Sequence, residues 1–134
     1  MTRQRVEEYF AACTRGDPAA VRAQFQPDAV VYDLNHAPVW GAEAIGEFYA
    51  RVWARWDGAS WEVNTFVAQE DVAAAEWTMR GVSSGTPFVV RGSEHYEFQD
   101  GLISQIRQYW HYDRIDPGIG LRDYPYATDE RFAP

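Results

Sequence analysis

The sequence predicts an α+β domain: about three N-terminal helices packed on one face of an antiparallel sheet. Three observations predict it. Apolar residues recur at helical spacing as far as Trp56. From Ser60 onward they alternate at strand spacing. Asp100-Gly101 stands between two β-rich runs, a strong short-range hairpin signal.

The elements follow in order. Val6, Tyr9, Phe10 and Cys13 make one face of a first helix, which Gly16 stops. Asp17-Pro18 restarts a helix as N-cap and first helical residue. Val21 and Phe25 are its apolar face, and Gln26-Pro27 ends it. Ala29 to Asp33 reads as a short strand and Asn35 to Pro38 as a loop. After Gly41, Ile45, Phe48, Tyr49, Val52, Trp53 and Trp56 hold the helical period over the longest helix, closed by Asp57-Gly58. Four strands are expected at 61–69, 72–82, 88–99 and 102–112, with a turn at Glu70-Asp71 and a loop from Ser83 to Pro87. Residues 1–112 form the domain, and 113–134 a C-terminal tail with Pro117, Pro125 and Pro134. Tyr124, Tyr126 and Phe132 are too apolar for a free tail, so Leu121 to Phe132 is expected to pack on the body or on a partner subunit.

Side chains alternate across a strand. In the hairpin this puts Glu94, Tyr96 and Phe98 on one face and Ser104, Ile106, Gln108 and Trp110 on the facing one. The apolar members make these the inner face. One acid, Glu94, is thereby placed in an apolar interior, where an unpaired charge is costly.

Composition narrows the partners. Hydrophobic residues make up 46% and aromatics 16%, enough to fill a core and still wall a cavity. The net charge is −8, which argues against nucleic acid or an anionic membrane surface. A lone Cys13 excludes an intrachain disulfide framework. No run is long enough to span a bilayer, and a cytoplasmic protein is the expectation. His36, His95 and His111 lack paired ligand spacing, so no metal is expected. Glu76, Thr78, Arg80, His95, Glu97, Arg107 and Tyr109 fall on the outer sheet face, a mixture suited to a homodimer interface.

The runs Tyr9 to Asp17, Phe25 to Asp33, Gly41 to Tyr49 and Phe98 to Ile103 resemble the ketosteroid-isomerase and SnoaL-like polyketide-cyclase superfamily. That superfamily shares a cystatin-like α+β cone with nuclear transport factor 2, so the resemblance implies a cone-shaped barrel: helices on a curved antiparallel sheet, enclosing an apolar pocket. The resemblance covers roughly residues 3 to 112. It implies a cofactor-independent acid/base enzyme (isomerase, cyclase or dehydratase) acting on a hydrophobic, carbonyl-bearing molecule such as a polyketide or steroid-like compound. It places the general base on Asp33 and the oxyanion-hole donors on Tyr9 and Glu94, where the family has Asp in place of this Glu. The aspartate of the superfamily's epoxide hydrolases falls on Gln108, which cannot act as a base. Substrate contacts are expected from Trp40, Trp53, Trp56, Trp77, Tyr96, Gln108, Trp110 and His36.

The chemistry is coherent without the family. Moving a proton beside a carbonyl needs a base and donors for the developing enolate oxygen. Asp33 at a strand end can stay ionised, while burial pushes Glu94 toward the neutral acid. Structural readings stand beside these: Tyr9 as a core tyrosine, Asp33 as a loop cap on Asn35 or His36, Glu94 as the partner of Arg91. A non-catalytic small-molecule binder on the same scaffold is the alternative function.

Overall fold

A computed structural model describes residues 2–116 and 120–132. Helix α1 spans Thr2–Thr14 and buries Val6, Tyr9, Phe10 and Cys13, the face its periodicity defines. Asp17 caps α2, Pro18–Arg22, with its carboxylate accepting from Ala20 N at 3.1 Å. That helix is shorter than its sequence suggests. Phe25 is not on it but opens strand β1, Phe25–Asp33, and is buried there. A two-residue strand β2, Val39–Trp40, follows the expected loop, at positions where no element was expected; it pairs antiparallel with Val30 and Val31. Helix α3 covers Ala42–Arg55 and buries Ile45 and Tyr49.

Four longer strands complete the sheet: β3 Ser60–Gln69, β4 Val72–Ser83, β5 Thr86–Gln99 and β6 Leu102–Tyr109. The loop expected at 83–87 is a tight turn at Ser84 and Gly85, both at positive φ. Asp100 and Gly101 also both have positive φ, 52° and 76°, the requirement of the mirror-image hairpin turn.

The sheet order is β2-β1-β6-β5-β4-β3. Its pairs are antiparallel except one: β1 runs parallel to β6, with Val31 opposite Ile106 and Asp33 opposite Gln108. The sheet is therefore mixed and not closed: the α+β cone expected is present, with one parallel pair where an antiparallel sheet was expected. Strand alternation carries no information about which strand a distant β1 will join or in which direction. That pairing sets the site, because it lays the end of β1 beside Gln108 and Trp110.

A bulge between Glu97 and Phe98 shifts the hairpin register, so that Phe98 faces Ile103 and Tyr96 faces Ile106. Ile103 and Ile106 are both fully buried. Ser104, expected on the inner face, instead donates its hydroxyl to the Glu97 carbonyl at 3.1 Å. Trp110 lies just past the end of β6 rather than on a strand reaching 112.

The outer face is partly covered. Thr78, expected there as surface, is 1% exposed and donates to Asn64 Oδ1 at 2.6 Å. Asn64 Nδ2 in turn donates to the carbonyl of Arg131 at 2.9 Å. A short 3-10 turn at Glu130–Phe132 buries Phe132, and the Arg91 guanidinium lies 4.0 Å from the centre of the Tyr126 ring. Pro117 and Pro134 lie outside the described residues. No helix among the described residues is long and apolar enough to cross a membrane.

Candidate functional site

A cavity of about 350 Å³ lies between α3 and the inner face of the sheet. Helix α3 supplies Phe48, Tyr49, Val52, Arg55 and Trp56 to its wall; β3 supplies Trp61, and β4 supplies Trp77 and Met79. Asp33, Asn35 and His36 come from the end of β1 and the following loop, and Gln108, Trp110 and Tyr112 from the end of β6. An aromatic wall with a few converging polar groups is the usual make-up of a small-molecule site.

Asp33 is the acidic group of this wall. Its side chain is 1% exposed, yet every lone pair has company. Oδ1 accepts from Asn35 N at 2.7 Å and from Asn35 Nδ2 at 3.1 Å. Oδ2 accepts from Trp110 Nε1 at 2.7 Å and lies 3.5 Å from His36 Nε2. Hydrogen bonds of this kind compensate a buried carboxylate for lost water. The His36 ring packs against Phe48 at 4.7 Å between centroids, and its Nδ1 is 2.8 Å from the Ala37 carbonyl. A carbonyl can only accept, so Nδ1 carries a hydrogen and Nε2 is the atom turned to Asp33.

Glu94 and Tyr9 do not line the cavity. They lie in a polar layer behind it. Glu94 is 1% exposed; Tyr96 donates to its Oε2, and Gln108 Nε2 donates to its Oε1 at 2.5 Å. Burial pushes the Glu94 carboxyl up to about 7, against the opposing pull of those two hydrogen bonds. The same Gln108 Nε2 reaches the Tyr49 hydroxyl at 2.7 Å. Tyr9 stacks edge-on against Tyr49 at 5.6 Å, beside the buried Cys13 thiol. Desolvation, with the Glu94 charge second, holds Tyr9, Tyr49, Tyr96 and Cys13 well above their ordinary pKa values, so all four are neutral. Glu94 thus has Tyr96 and Gln108 as partners, not Arg91.

The expected substrate contacts divide. Trp56, Trp77, Gln108, Trp110 and His36 line the cavity. Tyr96 is fully buried in the layer behind it. Trp53 turns away, donating its indole N–H to the Thr14 carbonyl at 2.9 Å. Trp40 is 62% exposed and lines a separate, wider depression between α2 and the start of α3. Trp77 is 2% exposed and its Nε1, sealed from solvent, meets no protein acceptor. Tyr49 is the polar wall residue the sequence concealed. It sits within the apolar period of α3, where nothing in the pattern separates its hydroxyl from the packing around it.

The architecture defines a cystatin-like α+β domain with a walled internal cavity. The chain belongs to the SnoaL-like domain family, whose model matches residues 6–106. Among solved structures it is similar to a protein of unknown function with a cystatin-like fold from Methylobium petroleophilum PM1. The two are 27% identical with a TM-score of 0.74, over 94% of this chain and 87% of that one. It is also similar to a protein with a ketosteroid isomerase-like fold from Catenulispora acidiphila DSM 44928, solved in complex with trimethylamine. There the identity is 24% and the TM-score 0.75, over 81% of this chain and 86% of that one. An LEH-like epoxide hydrolase of M. tuberculosis shares the fold at 20% identity and TM-score 0.71, over 85% and 84% of the two chains. No curated protein matches the chain by sequence.

Proposed function

We propose that the protein is a cofactor-independent acid/base enzyme acting on a hydrophobic, carbonyl-bearing small molecule, with Asp33 as the base. One observation carries this reading: a carboxylate at the wall of a largely aromatic cavity, held in place by Trp110 and Asn35. In the reaction an α-carbon C–H bond of the substrate breaks and its proton goes to Asp33. The electron pair moves onto the carbonyl oxygen as an enolate, which wall donors stabilise. Return of the proton to a different carbon gives an isomer. Gln108 occupies the position of the epoxide-hydrolase aspartate and offers no base, so epoxide opening is not favoured.

The test needs no knowledge of the natural substrate. Exchange of the α-protons of a bicyclic ketone in heavy water, followed by NMR, reports the base directly. The wild type is expected to accelerate exchange, and Asp33→Asn to reduce the rate by about 10²–10⁴-fold. No acceleration over buffer would overturn the enzymatic reading.

A non-catalytic binder is the second reading, and a specific observation favours it. The Asp33 carboxylate already accepts three hydrogen bonds, from Asn35 N, Asn35 Nδ2 and Trp110 Nε1, and Tyr9 and Glu94 stand behind the wall rather than in it. We further propose a homodimer through the part of the outer sheet face where His95, Glu97, Arg107 and Tyr109 lie. A monomer by light scattering at micromolar concentration would remove that proposal.

A further inference from the structure

The direction of each hydrogen bond behind the cavity follows from what each atom can do. An amide nitrogen only donates and an amide oxygen only accepts. Gln108 turns its Nε2 to both Glu94 Oε1, at 2.5 Å, and the Tyr49 oxygen, at 2.7 Å. The Tyr49 oxygen is therefore an acceptor in this contact, and its own proton must point elsewhere. Tyr9 also hydrogen-bonds this hydroxyl, in the sense of a donor to the Tyr49 oxygen, which leaves the Tyr49 proton for the cavity that its side chain lines.

Turning the Gln108 amide over would place its oxygen against both partners. Tyr49 would then donate inward, and the cavity would lose its hydroxyl donor. The Glu94 carboxyl opposes that turn. Tyr96 donates to Oε2, so in the ionised carboxylate Oε1 is left to accept from the amide nitrogen, and an amide oxygen 2.5 Å away would face it acceptor to acceptor. Glu94 is 1% exposed, so no water is at hand to relieve the clash.

We infer that Tyr49 is the cavity's hydrogen-bond donor toward a ligand carbonyl oxygen, and that Glu94, acting through Gln108, is the positioning residue that aims it. This rests on the small-molecule reading of the cavity and moves the oxygen-binding role from Tyr9 and Glu94 to Tyr49. Glu94 acts on the ligand without touching it.

The experiment compares α-tetralone, a bicyclic ketone, with tetralin, the hydrocarbon of the same frame. Binding of each is measured by calorimetry, and the carbonyl stretch of the bound ketone by infrared difference spectroscopy. The wild type should prefer the ketone and shift its stretch to lower frequency. Tyr49→Phe should cut the preference about fivefold or more, the value of one hydrogen bond, while tetralin affinity, which reports an intact cavity, stays. Glu94→Gln lets an amide present either end to Gln108. It should lower the preference and move the stretch toward its value in an apolar solvent, again without changing tetralin binding. A preference and stretch unchanged in Tyr49→Phe overturn the inference. A loss in Tyr49→Phe with none in Glu94→Gln overturns the role of Glu94. Failure of the wild type to bind either compound overturns both this inference and the function proposed above. Normal ketone binding with no accelerated proton exchange overturns the enzyme alone.

Discussion

Trp110 donates its indole N–H to Asp33 Oδ2 at 2.7 Å, joining residues 77 positions apart in the chain. The contact exists because β1 pairs parallel with β6, which brings Asp33 opposite Gln108 and so next to the residue just beyond the strand. It holds the carboxylate at the cavity wall and supplies one of the donors that stabilise its charge.

Trp110→Phe keeps a ring in the wall and removes that donor. A hydrogen bond to a charged group is worth about 1.5–3 kcal/mol. The rate of ketone α-proton exchange should therefore fall by about tenfold or more, with tetralin affinity little changed. An unaltered rate would mean that Asn35 alone positions Asp33.

Glu94 gives the stability a pH dependence of defined sign. Burial raises its carboxyl from 4.5 to about 7, so the folded protein holds that proton more tightly than the unfolded chain does. The contribution is complete below pH about 4.5, declines as the pH rises to about 7, and is constant above that. Its size is on the order of 3 kcal/mol, from the general value of a pKa displacement. Glu94→Gln resembles the neutral acid at every pH. Wild type should thus lose stability relative to the variant across this window in urea titrations, and parallel curves would contradict the assignment.

Gly92 packs closely against two residues of the cavity wall, Trp77 and Trp110. A Cβ there would meet Trp77 Cζ2 at 2.5 Å and Trp110 Cβ at 2.9 Å. Both rings belong to the wall, so Gly92→Ala must displace one of them. Overpacking of this kind costs about 1–3 kcal/mol, and the cavity should narrow. A lower melting temperature together with weaker tetralin binding is expected; a variant identical to wild type in both would show that the wall yields freely.

Removal of the residues after Asp116 should uncover Thr78 and the seat of Phe132, which is 3% exposed. Burial of one large aromatic side chain contributes about 1.5–3 kcal/mol, and the Asn64 bond to the Arg131 carbonyl is lost as well. The melting temperature should drop by several degrees, as expected for a loss of that size in a domain of this length. An unchanged value would mean that the tail adds nothing to the body.

Local pattern determined much of this protein. Helical period identified α1 and α3, since one face of each must bury its apolar residues wherever it packs. Alternation and the Asp100-Gly101 turn marked the hairpin, because a turn with two positive-φ residues tolerates few sequences. The acid Glu94 on an inward-facing strand position was legible for the same reason, and it is buried. What local pattern does not contain is pairing at a distance. Only the tertiary structure decided that β1 joins β6 in parallel, which gives Asp33 its Trp110 partner. It also decided that a bulge turns Ser104 out and Ile103 in. Trp40, Trp53, Trp56 and Trp77 are chemically alike in sequence, yet only Trp56 and Trp77 reach the cavity, because the orientation of each ring depends on neighbours remote in the chain. The role of Tyr49 was hidden by the same physics: its ring obeys the helix period, and its hydroxyl acquires meaning only when Gln108 and Glu94 arrive behind it from two other strands.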